Sequence, residues 1–290
     1  VTTPPPTSAQ ASGVPLAAPA SSSATLPMNP ENGGIPPRFN AGTTKQVDAV
    51  VDVDLVVAPG EFVCLIGPSG CGKSTILRLL AGLELPDEGQ VLIDGRPIVE
   101  PGPDRALLFQ DPALFPWLSV RQNVEYALRL TGLGPGETHD TADGWLAKVH
   151  LSAFADLQPH ELSGGMRHRA ALARALACQP DVLLADEPFG ALDAQMREIL
   201  QKELQLVWTE LGNTFVFVTH NVREAVFLAD RVIGLSARPG TPLEEYRIST
   251  PRPRSFEDVL VAKVVLDIHE HLAKEVERAA REEGLRPGLA

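Results

Sequence analysis

The chain has 290 residues, 44% of them apolar, and a formal net charge of −12. That length and apolar share suffice for one large domain with a sub-domain, or for two small ones, while the acidic balance argues against a nucleic-acid partner, which would call for a basic stripe. Three cysteines (Cys64, Cys71 and Cys178) without a CxxC pair exclude a disulfide framework and a zinc site and suggest reduced thiols in a cytosolic setting.

Residues 1–37 are rich in Pro, Ala, Ser and Thr and are expected to be disordered, with Met28 a candidate translation start inside the tract. Residues 1–27 lack a basic residue and a continuous apolar core, so no signal peptide is expected. No later run approaches the roughly 18 apolar residues of a membrane span, so any membrane role runs through a partner.

Order is expected from Val47. The stretch to Val57 reads as one or two strands closed by Pro59-Gly60, and Glu61–Ile66 as a buried strand. A Gly-rich loop and a helix over Lys73–Ala81 follow, then a strand over Gln90–Ile93 with a turn at Asp94-Gly95, and a strand over Ala106–Phe109. Residues 111–178 are helical in pattern, with loops near Gly132–Gly136 and Gln158-Pro159. Buried strands return at Val182–Ala185 and Phe215–Thr219, separated by a helix over Ala194–Leu211. Apolar strands alternating with helices predict an α/β fold, a parallel sheet covered on both faces, with 111–178 as a helical insertion.

Gly67-Pro68-Ser69-Gly70-Cys71-Gly72-Lys73-Ser74 fits the phosphate-loop pattern G-x-x-x-x-G-K-[ST], a match on the order of one in a hundred by chance. Phosphate needs a concave ring of backbone N–H donors, which glycines permit, and the helix behind adds its positive end. Lys73 would supply a point charge to the β- and γ-phosphates, Ser74 would ligate Mg²⁺, and Thr75 completes the ATP-binding segment. Cys71 fits as a small residue, although a helix N-terminus can lower a thiol pKa.

Val182–Ala185 delivers two carboxylates at its end. Asp186 is expected to hold Mg²⁺ and Glu187 to act as general base on the attacking water. Paired carboxylates at a strand end are often only solvated; the phosphate loop upstream gives them meaning. His220, after the strand Phe215–Thr219, can reach the γ-phosphate or the water, and Gln110, after Ala106–Phe109, can offer its amide oxygen to Mg²⁺.

Leu162-Ser163-Gly164-Gly165-Met166, followed by Arg167 and Arg169, resembles the signature motif of ABC ATPases. The other landmarks stand in the family's order: phosphate loop, Gln110, Asp186-Glu187, Ala191-Leu192-Asp193, His220. The resemblance spans about 45–255. It implies a P-loop NTPase core of the RecA-like kind with a mostly parallel sheet, an antiparallel β portion near the N-terminus and the helical sub-domain. It also implies two subunits packed head to tail, so that Ser163, Gly164 and Gly165 of one close over the ATP and Mg²⁺ of the other. The helical block would touch integral membrane permease subunits at the cytoplasmic face of the inner membrane, with a separate solute-binding protein choosing the solute. His168 stands where the family has Gln, and Asn221 where Asp is usual. Phe39 is the candidate to stack on adenine.

Asp186–Gln195, Glu224–Asp230, Leu235–Gly240 and Pro251–Arg254 resemble the nitrate, sulfonate and taurine importer branch, which includes bicarbonate and thiamine-precursor systems. The alternatives are a soluble ABC ATPase of the translation or DNA-repair kind, disfavoured by a single cassette without heptads, and a non-catalytic module, disfavoured by Glu187 and His220. The expected domains are 1–37, the ATPase over 38–240, and a helical extension over 241–290. In that extension Phe256, Leu260, Val264, Ile268 and Leu272 are spaced as one helix face; His269 and His271, two apart, are not expected to share a metal.

Overall fold

The computed structural model describes residues 47–190 and 192–282, together with two short strands at Ala24–Leu26 and Arg38–Phe39. In chain order the elements are β1 (Ala24–Leu26), β2 (Arg38–Phe39), β3 (Val47–Asp48), β4 (Leu55–Val57), β5 (Phe62–Ile66), α1 (Lys73–Ala81), β6 (Leu92–Ile93), β7 (Arg96–Pro97) and β8 (Arg105–Leu108). Then come α2 (Val120–Leu130), α3 (Pro135–Lys148), α4 (Gly164–Ala177), β9 (Val182–Asp186), α5 (Ala194–Leu211), β10 (Thr214–Val218), α6 (Val222–Leu228), β11 (Arg231–Leu235), β12 (Pro242–Arg247) and α7 (Val259–Glu282).

The main sheet has six strands in the order β12-β11-β5-β10-β9-β8. Its strands run parallel except β12, which pairs antiparallel with β11 at the edge. Side chains alternate across β5. Phe62, Cys64 and Ile66 enter one core with residues of α2 to α6 and of α7. Val63 and Leu65 enter the other, with Ile76, Leu77 and Leu80 of α1 and with Val57 and Ile93 from the antiparallel portion. Burial on both faces is why these strands read as continuous apolar runs. A smaller antiparallel sheet has the order β4-β1-β6-β7.

Local signals set the helix ends. Ser119 and Gln122 form a reciprocal capping box at α2, Ser163 and Asp193 cap α4 and α5, and Gly82 and Gly212 end α1 and α5 in the left-handed region. Such caps contribute about 1 kcal/mol each. Between the paired strands β8 and β9 the chain makes α2, α3 and α4, which pack on one another.

Several expectations are corrected. Ala24–Leu26, inside the tract expected to be disordered, forms β1 and pairs with β4 and β6, because backbone hydrogen bonds to two strands need no special side chains; the rest of that tract lies outside the described residues. Residues 242–247 are not helical: their exposed Glu244 and Glu245 suit the open edge of the sheet. In the tail the buried stripe is Val261 and Ile268, with Val264, Val265 and Leu272 against the core, while Leu260 is 60% exposed. A spacing of four drifts about 40° per step from the 3.6-residue helical period, which carries Leu260 off the buried face. Phe256 lies before α7 and stacks on Phe227. The strand after Arg105 ends at Leu108, leaving Phe109 about half exposed. Among the described residues no helix is long and apolar enough to cross a membrane.

Candidate active site

Parallel sheets deliver their ligands at the carboxyl ends of the strands. Here β5 leads into the phosphate loop, β8 to Gln110, β9 to Asp186-Glu187, β10 through Thr219 to His220, and β11 to the turn at Ser236. Five segments far apart in sequence thereby meet along one rim.

The phosphate loop wraps the start of α1. Gly72 caps that helix at φ +94°, and a Cβ there would stand 2.3 Å from Val50 Cγ1, so a larger residue would clash. Lys73 is buried; its Nζ donates to the carbonyls of Gly67 and Pro68, each at 2.9 Å, and lies 3.8 Å from Cys71 Sγ. Burial pushes the Cys71 thiol up, outweighing the lowering effect of Lys73, so the helix terminus does not activate it. Pro68 and Thr75 are half-buried, and Ser69 and Gly70 are exposed on the loop's outer side.

Ser74 Oγ donates to Asp186 Oδ1 at 3.0 Å, joining the loop to the end of β9. The next residue, Glu187, has φ +44°, a left-handed conformation that costs a non-glycine residue about 1 kcal/mol or more and is held by its N–H on Val218 O at 3.0 Å. His220 Nδ1 lies 3.0 Å from Glu187 Oε2. Gln110 sits by the same turn, its amide nitrogen about 3.3 Å from where a Cβ on Gly190 would lie. The pair of a hydroxyl and a carboxylate is the hard oxygen set that suits Mg²⁺. Among the described residues no group of three or more His, Cys, Asp or Glu could hold a metal alone, and a Mg²⁺ completed by phosphate oxygens needs no such cage.

The signature segment forms the start of α4. Ser163 Oγ accepts from Met166 N at 3.3 Å at the start of α4, and Gly165 lies against Met196 in the first turn of α5. Gly164, Gly165 and the helix end they form make a second anion-receptive terminus. The two departures from the family pattern have identifiable contacts. His168 bridges, with Nδ1 2.9 Å from Gly164 O and Nε2 3.3 Å from Gln110 O. Asn221 caps α6, its Oδ1 accepting from Glu224 N at 3.3 Å, as an aspartate there would. Phe39 pairs through its backbone with Val47, but its side chain lies outside the described residues, as does all of Ala191.

Motif reading missed the supports behind these groups. Arg197 of α5 donates to Phe189 O and Leu192 O, bracing the turn after Glu187. Buried Glu224 accepts from Gln201 behind His220, and Arg238 reaches Gly70. No pattern marks Arg197; Glu224 and Arg238 lie within the branch segments Glu224–Asp230 and Leu235–Gly240, which carry no hint of these contacts.

Residues 50–190 match the family model described as ABC transporter. The nitrate import ATP-binding protein of Synechocystis sp. (strain ATCC 27184 / PCC 6803 / Kazusa) is 49% identical over 214 residues, 74% of this chain and 80% of that protein. The bicarbonate transport ATP-binding protein of Synechococcus elongatus is 47% identical over 215 residues, 73% of this chain and 32% of that longer protein. Among solved structures, a dimeric post-hydrolysis ATP-binding cassette bound to ADP and Pi is 30% identical, with a TM-score of 0.66, over 79% of this chain and 100% of that one.

Proposed function

The chain is an ATP-hydrolysing member of the ABC transporter family, and on that premise we propose that it energises an importer of a small planar oxyanion, nitrate foremost. The similarity to a nitrate and to a bicarbonate import subunit supports that class of solute. It works as one of two copies seated beneath integral membrane permease subunits at the cytoplasmic face, with a separate solute-binding protein selecting the solute.

The convergence of Lys73, Ser74, Asp186, Glu187 and His220 carries this reading. Gly67 to Thr75 bind the ATP phosphates, with Lys73 supplying the buried charge. Ser74, Asp186 and Gln110 would hold Mg²⁺, which would neutralise phosphate charge. Glu187 takes a proton from water, and His220, on its Oε2, fixes the carboxylate's direction. Ser163, Gly164 and Gly165 face the nucleotide of the partner copy; the dimeric relative with ADP and Pi supports that pairing.

The permease contact falls on an apolar cleft lined by Leu108, Phe109, Pro112, Leu172 and Phe189. Phe109 precedes Gln110 and Phe189 follows Glu187 by two residues, so pressure on this cleft reaches both sides of the site. Trp117, 70% exposed nearby in sequence, extends the apolar surface of the helical block.

The test is nitrate uptake in cells lacking this chain and complemented with wild type or Glu187→Gln. Wild type restores uptake; the variant, lacking a base, loses at least about 100-fold in hydrolysis and restores none. Uptake of a sulfonate but not nitrate by the wild-type strain would overturn the solute class, and normal hydrolysis by the variant would overturn the base.

A further inference from the structure

β11 runs beside β5, with Gly234 paired to Ile66, the residue that leads into the phosphate loop. The turn that follows, Ser236-Ala237-Arg238-Pro239-Gly240, is closed on itself. Ser236 N donates to Thr241 O and Thr241 N to Ser236 Oγ, both at 2.9 Å, and Ser236 Oγ donates toward the carbonyls of Ala237 and Pro239, each at 2.9 Å. The turn is also docked. Gly240 N donates to Ala49 O at 3.1 Å, Val51 N to Gly240 O at 3.0 Å, and a Cβ on Gly240 would stand 1.9 Å from Cys71 O. Only glycine lets the turn lie this close to the phosphate loop's backbone.

From this platform Arg238 Nε donates to Gly70 O at 3.3 Å, and Nη2 lies 3.3 Å from where a Cβ on Gly70 would be. Gly70 is at φ +76°, a residue with wide backbone freedom in the middle of the cradle. Its carbonyl and the N–H of Cys71 belong to one planar peptide and point opposite ways; that N–H donates to Pro68 O at 3.4 Å across the loop, so a donor on the carbonyl holds the peptide, and with it the curvature of the cradle, from the outer side. The guanidinium thus carries its positive charge to the rim of the loop, against the Gly70 carbonyl.

We propose that Arg238 is a positioning residue for nucleotide binding: it fixes the Gly70–Cys71 peptide from behind and brings a positive charge to the outer side of the β- and γ-phosphate cradle. This rests on the phosphate-cradle assignment above, so the experiment carries Lys73→Ala as its control.

Affinities for ATP, ADP and AMP are measured by calorimetry on the full chain as wild type, Arg238→Ala, Arg238→Lys and Lys73→Ala, with KM, kcat and nucleotide-free Tm beside them. Arg238→Ala should weaken ATP and ADP about tenfold, in line with one charge-assisted hydrogen bond. AMP affinity and the nucleotide-free Tm should stay at their wild-type values, and KM should rise with kcat within twofold. Arg238→Lys, which keeps the charge but not the planar Nε–H, should fall between. If Arg238→Ala binds ATP like wild type while Lys73→Ala does not, the proposal fails and the cradle stands. If Lys73→Ala also binds like wild type, the cradle assignment fails and takes the proposal with it. An equal loss for AMP, accompanied by a lowered nucleotide-free Tm, would reduce Arg238 to a structural brace and overturn the positioning role.

Discussion

Behind the Glu187 carboxylate sits a second one that is almost wholly buried. Glu224, 4% exposed, accepts from Gln201 Nε2 at 2.5 Å and from Thr219, in the layer beneath His220. Burial raises its carboxyl above the ordinary value of 4.5, and the hydrogen bonds from Thr219 and Gln201 only partly oppose this. A raised carboxyl holds its proton longer in the folded state, so its contribution to stability is complete below the unfolded value and is lost as pH rises through the folded one. Glu224→Gln keeps the shape and removes the charge. It should raise Tm at pH 8, by about 2–4 °C for each kcal/mol, and the gain should vanish at pH 4; a gain that persisted there would contradict the assignment. The phosphate loop, Asp186-Glu187 and His220 are legible in the sequence because their chemistry is local and their spacing specific. Glu224 opens a branch segment, but its burial is not legible, because a glutamate in a helix's first turn is ordinary until Gln201 of another helix closes over it.

Elements were legible in proportion to their periodicity. The helices over 73–81 and 194–211 carry amphipathic patterns ended by Gly82 and Gly212, and they run over the expected residues. By contrast α6 is buried almost all round, so no stripe announces it. Its end is held by a residue that sequence reading took only as a branch marker. Arg254 is buried, and its guanidinium donates to Val226 O, Phe227 O and Ala229 O, the orphan carbonyls of the helix terminus, and to Ile248 O and Thr250 O. Burial lowers its pKa to about 10, which still leaves it charged at neutral pH. Arg252 adds a bond to Leu228 O and a pairing with Asp230 while its guanidinium lies 4.2 Å over the Trp208 ring. Arg254→Leu strands those carbonyls without a donor and should destabilise by about 3 kcal/mol in urea unfolding. Arg247→Leu, at a side chain 80% exposed, should change it by less than about 0.5 kcal/mol.

For the whole molecule, two anion-receptive helix termini lie on separate elements of one chain, at α1 and at α4. If each nucleotide is held by the first of one copy and the second of its partner, complementation follows. Ser163→Arg blocks the second terminus and Lys73→Ala disables the first. Each variant alone should release almost no phosphate, and an equal mixture should regain hydrolysis through the one site built from two intact halves. Full activity of Ser163→Arg alone would rule out the shared site. Pairing of this kind was legible only through the signature's resemblance, since no residue pattern within a single chain states what a surface meets.

The neighbours of β5 have a further consequence. This strand leaves the ribosome early, at residues 62–66, yet both of its hydrogen-bonding edges are filled by β10 and β11, at 214–218 and 231–235. Until those late segments emerge, Phe62–Ile66 is an apolar ribbon with two open edges, the form most prone to pairing with the wrong chain. The growing polypeptide therefore depends on being shielded through most of its synthesis, and nucleotide cannot help it, since the cradle has no back wall before Gly240 arrives.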